Sequence, residues 1–203
     1  MRVLFGTDGI RGKAREYPLD PPTMFALGES LAHRLRGGTV LLGMDTRESG
    51  PEIARALSAG MVRGGGEAVL IGVIPTPGVA YLCRTSDAAA AISISASHNP
   101  FHDNGVKIFG HDGMKIADSI EEQIEDEMRA LRRDDGSAEA GASNATNRKP
   151  ASAGESLIEQ YEQFLANGVK PNALRGKRVV LDAGHGAAYR IAPDVFQIGR
   201  AHV

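Results

Sequence analysis

The sequence predicts an α/β protein with helices on both faces of a sheet. Two observations lead to this. Short apolar runs bounded by glycine alternate with amphipathic helical patterns, as in α/β domains. A polar, turn-rich segment follows the third apolar run, at the strand end where open α/β sheets carry their ligand sites.

In chain order, Met24, Leu27, Leu31 and Leu35 recur at helical spacing and define an amphipathic helix. Residues 39–43 (TVLLG) are a short apolar run, as expected of a buried strand. Gly50-Pro51 opens a helix with Ile53, Leu57 and Met61 on one face, because proline's missing N–H would be unpaired in a first turn anyway. Gly64 to Gly66 stop it. Residues 67–73 (EAVLIGV) form the next strand and residues 76–83 a short helix. Residues 88–95 (AAAAISIS) are a third strand, small and apolar enough for the sheet centre.

Residues 106–109 are a brief extended segment. Asp118-Ser119-Ile120-Glu121 has the form of a capping box, and the helix it opens buries Ile120, Ile124, Met128 and Leu131. Residues 134–154 turn to Ser, Ala, Gly, Asn and charge, so they read as a loop or linker. Leu157, Ile158, Tyr161, Phe164 and Leu165 mark another helix. Residues 178–182 (RVVLD) are a strand followed by a glycine turn, the start of a second α/β unit.

The 203 residues suffice for one domain and part of another. An apolar fraction of 42% and a charged fraction of 24% place the chain among globular proteins rather than disordered ones. A net charge of −2 argues against nucleic acid but leaves small anions open, since these need only local donors. The single cysteine, Cys83, sits among helix-core residues and cannot form an internal disulfide, so a reducing compartment, the cytoplasm, is expected. The first residues lack a signal-peptide pattern, and no apolar run reaches membrane-spanning length.

The chemistry concentrates in residues 94–109 (ISASHNPFHDNGVKIF). Asn99-Pro100 and Asn104-Gly105 are turn signals that put Ser97 and His98 on an exposed bend. A serine there, beside a histidine and upstream of Lys107, suits a phosphoryl acceptor. Taken alone, a polar loop whose hydroxyls cap backbone groups explains Ser-His adjacency better. Residues 5–12 (FGTDGIRG) offer glycines for close backbone approach and Arg11 as a planar fork for phosphate. In isolation, a glycine-rich turn with a surface arginine accounts for them equally well.

Together, Ser95-Ala96-Ser97-His98-Asn99-Pro100 and Asn104-Gly105-Val106-Lys107 resemble the active-site loop of the α-D-phosphohexomutase superfamily. In that loop the serine matching Ser97, not Ser93 or Ser95, is phosphorylated. Residues 5–12 and Phe101 are similar to the branch that acts on glucosamine phosphates. Residues 43–47 (GMDTR) resemble the family's Gly-x-Asp-x-Arg turn, where Asp45 and Arg47 either stiffen a loop or touch a ligand. Residues 75–77 (PTP) resemble a structural turn, and residues 181–189 the opening of a second domain, with His185 as a turn residue and Asp182 as a strand-end cap.

The resemblance implies a mixed-sheet α/β/α first domain over residues 1–133, carrying the phosphoserine loop. A linker over 134–154 and a connecting helix with the truncated start of a second, similar domain over 155–197 would follow. Residues 198–203 (IGRAHV) depart from the family pattern and are expected to be a non-native tail. The implied activity interconverts glucosamine 6-phosphate and glucosamine 1-phosphate through a phosphorylated Ser97 and a bisphosphorylated sugar. The resemblance further implies Mg²⁺ bound through the Ser97 phosphate, Arg11 and Lys107 neutralising charge, Lys107 or His98 moving a proton, and His98 orienting the loop. The family's magnesium-binding aspartate loop and its sugar- and phosphate-recognition loops match nothing in these residues, so the chain alone is expected to be inactive. The competing readings are the same reaction on glucose or mannose phosphates, and a non-catalytic sugar-phosphate binding module. A Ser97–His98 hydrolase is the weakest, for lack of a Gly-x-Ser-x-Gly elbow.

Overall fold

A computed structural model describes residues 4–134, 151–170 and 173–198. The chain runs through β1 (Phe5–Gly6), β2 (Gly9–Lys13), α1 (Pro21–Arg34), β3 (Thr39–Met44), α2 (Gly50–Arg63), β4 (Glu67–Val73) and α3 (Thr76–Thr85). It continues through β5 (Ala90–Ile94), β6 (Asp103–Gly110), α4 (Asp118–Asp134), α5 (Ala151–Asn167) and α6 (Ile191–Ile198). The strands form one mixed sheet in the order β1-β2-β6-β5-β3-β4. β3 pairs in parallel with β4 and β5, while β5–β6, β6–β2 and β2–β1 are antiparallel.

Strand periodicity divides the core in two. Val40, Leu42 and Met44 of β3 and Ala90, Ile92 and Ile94 of β5 face α1, α2 and α4, where Leu27, Leu57 and Ile124 are fully buried. Leu41, Ala91 and Phe109 face the opposite way, with Val79, Leu82, Cys83, Tyr161 and Ile191 from α3, α5 and α6. Every residue of β5 is buried, as expected for an apolar strand inside a sheet. Cys83 donates its thiol to the Gly110 carbonyl at 3.1 Å, and burial pushes its pKa up to about 11, as befits an inert core thiol. No helix among the described residues is long and apolar enough to cross a membrane.

α1 and α2 touch backbone to backbone. A Cβ on Gly60 would lie 1.9 Å from the Phe25 carbonyl oxygen, and one on Gly28 would lie 2.2 Å from that of Leu57. This contact seats α2, and with it the loop that leaves β3, at the carboxyl end of the parallel strands.

The structure departs from the sequence reading at several places, among them Ile120, expected on the buried face of α4 but 37% exposed, and Asn104-Gly105, read as a turn but part of β6. Residues 5–12, read as a glycine-rich turn, lie in the β1–β2 hairpin, which extends to Lys13 and whose glycines hide any strand pattern. At α4, the Ala117 carbonyl accepts from Ile120 and Glu121, so Ala117 and not Asp118 is the capping position. Lys115 bridges Asp118 at 3.2 Å and Glu121 at 2.8 Å within the first turn. Both ends of the stretch expected as a linker over 134–154 are helical, since α4 reaches Asp134 and α5 begins at Ala151; residues 135–150 lie outside the described residues. Residues 178–182 are not a strand. Val180 is 91% exposed, and no strand among the described residues pairs with this segment. α6 was not anticipated; it buries Ile191 against α5 and extends to Ile198, the first residue of the tail expected over 198–203, whose other residues lie outside the described ones.

Gly60→Ala should destabilise the fold by about 3 kcal/mol, since a backbone carbonyl cannot yield to the new methyl. Urea unfolding should show a lower midpoint with an unchanged slope.

Candidate active site

The loop after β5 is shaped by its own polar side chains. Ser95 N–H donates to the Gly105 carbonyl at 2.9 Å. Its hydroxyl donates to Asp45 Oδ2 at 2.7 Å and accepts the Ser97 N–H at 3.0 Å. Ala96 is fully buried, and Asn99 N–H closes a turn on its carbonyl at 3.1 Å. Between them Ser97 takes a left-handed conformation, φ 56°, which a β-carbon disfavours and surrounding bonds must hold. Ser97 and His98 are exposed as a result, with Ser97 Oγ 3.4 Å from His98 Nδ1, the long limit of a hydrogen bond.

Three serines lie two residues apart in sequence, Ser93 on β5 and Ser95 and Ser97 on the chain that leaves it. Ser93 is buried and shares a 2.9 Å hydrogen bond with the hydroxyl of Thr76, at the start of α3. Ser95 is committed to Asp45 and to the Ser97 N–H. Ser97 is the exposed one.

Arg47, between β3 and α2, spans the loop from beneath. Its Nε donates to Asp45 Oδ2 at 3.1 Å. Nη1 donates to the carbonyls of Pro100 at 2.5 Å and Asp103 at 3.0 Å. Nη2 donates to those of Ser97 at 3.0 Å and Asn99 at 2.8 Å. A guanidinium has five N–H groups, so none remains for a ligand. Of the two readings of the GMDTR segment, the loop-stiffening one matches this geometry.

Arg11 and Lys107 stand on neighbouring strands. Arg11 lies opposite Gly105, whose missing Cβ would sit 3.2 Å from Arg11 Cγ, so the side chain crosses the strand there. Its Nη1 donates to Asn99 Oδ1 at 3.3 Å. Asp8 joins the two cations, 2.9 Å from Lys107 Nζ and 3.6 Å from Arg11 Nη2. The Lys107 ammonium holds the Asp8 carboxyl below its ordinary 3.8.

An open cleft of about 1030 Å³ borders the loop. Ser97 and His98 line it, with Lys13 and Arg15 on one side and His185 on the other. Arg11 and Lys107 are not among its lining residues; they meet the loop from the side, through Asn99 and Asp8. The His185 carbonyl accepts the Thr46 hydroxyl, and Asp182 caps its turn by accepting the Gly184 N–H at 2.8 Å.

Asp8, Lys13 and Arg15 were not singled out from the sequence. Lys13–Glu16 and Arg11–Asp8 are short-range pairs visible as spacing, whereas Asp8–Lys107 and Arg15–Glu52 join distant segments and leave no local signal. Mg²⁺ prefers six oxygen ligands. No group of three or more His, Cys, Asp or Glu among the described residues is placed to hold a metal, and Asp45 and Asp8 are engaged by cations. These residues alone do not make a Mg²⁺ site.

A family model described as phosphoglucomutase/phosphomannomutase, alpha/beta/alpha domain I, matches residues 2–134. The chain is 45% identical over 198 residues to the phosphoglucosamine mutase of Solibacter usitatus, covering 96% of this chain and 42% of that protein. It is 45% identical over 202 residues to the phosphoglucosamine mutase of Symbiobacterium thermophilum, covering 97% and 44%. The chain thus spans less than half the length of these curated relatives. A phosphoglucomutase/phosphomannomutase family protein from Burkholderia thailandensis shares the fold, with a TM-score of 0.73 at 23% identity over 96% of this chain and 41% of that one.

Because Asp8 has a depressed pKa, its pairing stabilises the fold above pH 3.8 and is lost as pH falls through the lower folded value. Lys107→Ala should raise the Asp8 pKa toward 3.8, read by carboxyl-carbon NMR titration.

Proposed function

We propose the following role for this chain, which belongs to the phosphoglucomutase/phosphomannomutase family: it is the phosphoserine-bearing part of a phosphoglucosamine mutase, with Ser97 as phosphoryl carrier. The observation that carries the proposal is the Ser97 hydroxyl, exposed at a cleft on a loop that Arg47 and Ser95 hold in a left-handed turn. The choice of glucosamine phosphates rests on the name shared by the relatives at 45% identity.

In the proposed reaction a sugar hydroxyl oxygen attacks the phosphorus on Ser97. The new oxygen–phosphorus bond forms as the bond to Ser97 Oγ breaks. The attacking hydroxyl gives up its proton to a base, and Ser97 Oγ takes one. We assign the exchange at Ser97 to His98, supported by the 3.4 Å approach of its Nδ1 to Oγ. The bisphosphorylated sugar then turns over and returns its other phosphoryl group to Ser97 by the reverse steps. A phosphoserine carries about −1.5 to −2 charges, which favours cations beside the loop. Arg11 and Lys107 supply them and share a single carboxylate, Asp8. We assign Mg²⁺ to the complete enzyme, as an oxygen-bound cation on the phosphoserine. We place the enzyme in the cytoplasm, in keeping with its one inert thiol.

Mass spectrometry of protein incubated with glucose 1,6-bisphosphate should locate phosphate on Ser97. Phosphate found only on Ser93 or Ser95 would overturn the assignment. Ser97→Ala should lower kcat of the full-length enzyme by roughly 10³-fold or more. The 203-residue chain by itself should not convert glucosamine 6-phosphate, and measurable turnover would refute that.

A further inference from the structure

We infer that Arg47 is a positioning residue for the Ser97 loop, acting on backbone carbonyls rather than on a ligand. Its relevance to catalysis rests on the phosphoserine reading above. Four of its N–H groups go to the carbonyls of Ser97, Asn99, Pro100 and Asp103, and the fifth goes to Asp45. Asp45 is itself anchored, since its other oxygen accepts the Arg47 backbone N–H at 3.0 Å. The same carboxylate accepts the Ser95 hydroxyl, and Ser95 in turn holds the Ser97 N–H. The guanidinium thus grips the loop on both sides of the bend, and its counter-ion grips the residue two places earlier. The Arg47 and Asp45 side chains are only 11% and 13% exposed, so water competes little for either.

This arrangement has an electrostatic consequence at Ser97. A carbonyl drawn to Arg47 carries the negative end of its peptide with it. In a trans peptide the following N–H points the opposite way. The His98 and Phe101 N–H groups are therefore turned away from the guanidinium, and both residues are exposed. Arg47 removes from the outer surface the carbonyls that would repel a phosphoryl group and leaves amide donors there. Lysine cannot substitute: it keeps the charge, but its three donors on one nitrogen cannot span four carbonyls and a carboxylate.

The test uses Arg47→Ala and Arg47→Lys in the full-length protein. Both should broaden or shift the Ser97 and His98 amide resonances while the core amides of Val40 and Ile92 hold. Both should lower kcat on the order of 10²-fold with KM within about twofold, the pattern of a misplaced reacting group. Added guanidinium ion should recover activity in Arg47→Ala and not in Arg47→Lys. The inference is overturned if KM rises while kcat holds, if the Ser97 amide is unmoved, or if the core amides are lost together with it. Failure of the wild-type protein to take up phosphate or turn over amino-sugar phosphate would sink the phosphoserine reading instead. The amide resonances would still decide whether Arg47 orders the loop.

Discussion

The ion pair between Asp45 and Arg47 joins two separate segments, the exits of β3 and β5, into one surface. Hydrogen bonds from a charged donor are about twice as strong as neutral ones. Here they fall on backbone carbonyls of a loop that has no regular partner of its own. Without them the loop would keep its turn residues but lose the reason to hold Ser97 at a positive φ. The conformational cost at Ser97 is met by these bonds together with the one from its own N–H to Ser95.

The sheet topology makes that ion pair possible. β3 and β5 are parallel neighbours, with Met44 opposite Ile94, so the chain leaves both strands at the same end and at nearly the same height. β6 then returns antiparallel and brings Asp103 back beneath the loop. β2 lies on the far side of β6 and carries Arg11 to the opening at Gly105. The tight contact of α1 with α2 fixes where α2 begins, and Asn104, fully buried, ties that point to β6 through its 2.8 Å bond to Ser49. Four elements distant in sequence thus converge on eight loop residues because of strand order, not because of any local propensity.

That division explains what could be read in advance. The helices α1 and α2 and the strands β3, β4 and β5 carry strong apolar periodicity bounded by glycine or proline, and they appear within a few residues of where the pattern puts them. The exposed bend at Ser97 was legible from Asn99-Pro100, which follows it, whereas Asn104-Gly105, read as a second turn signal, lies within β6. β1 and β2 were not, since Gly6, Gly9 and Gly12 supply no side chains to alternate. Residues 178–182 have the composition of a strand, but strand formation requires a neighbour that composition cannot supply. At the site, the choice between the two roles of Arg47 was undecidable from GMDTR alone. It turned on which atoms lie across fifty residues of chain, information that exists only once the sheet is assembled.

Ser93, Ser95 and Ser97 present the same functional group two residues apart in sequence, so chemistry alone would hardly distinguish them. The fold does so by occupancy. One oxygen is walled in beside Thr76, and the next already serves as a bridge between a carboxylate and an amide. The Ser97 hydroxyl is on an exposed residue, with His98 Nδ1 at 3.4 Å. Two of the three hydroxyls are thus committed to protein partners, and the third belongs to an exposed residue lining the cleft.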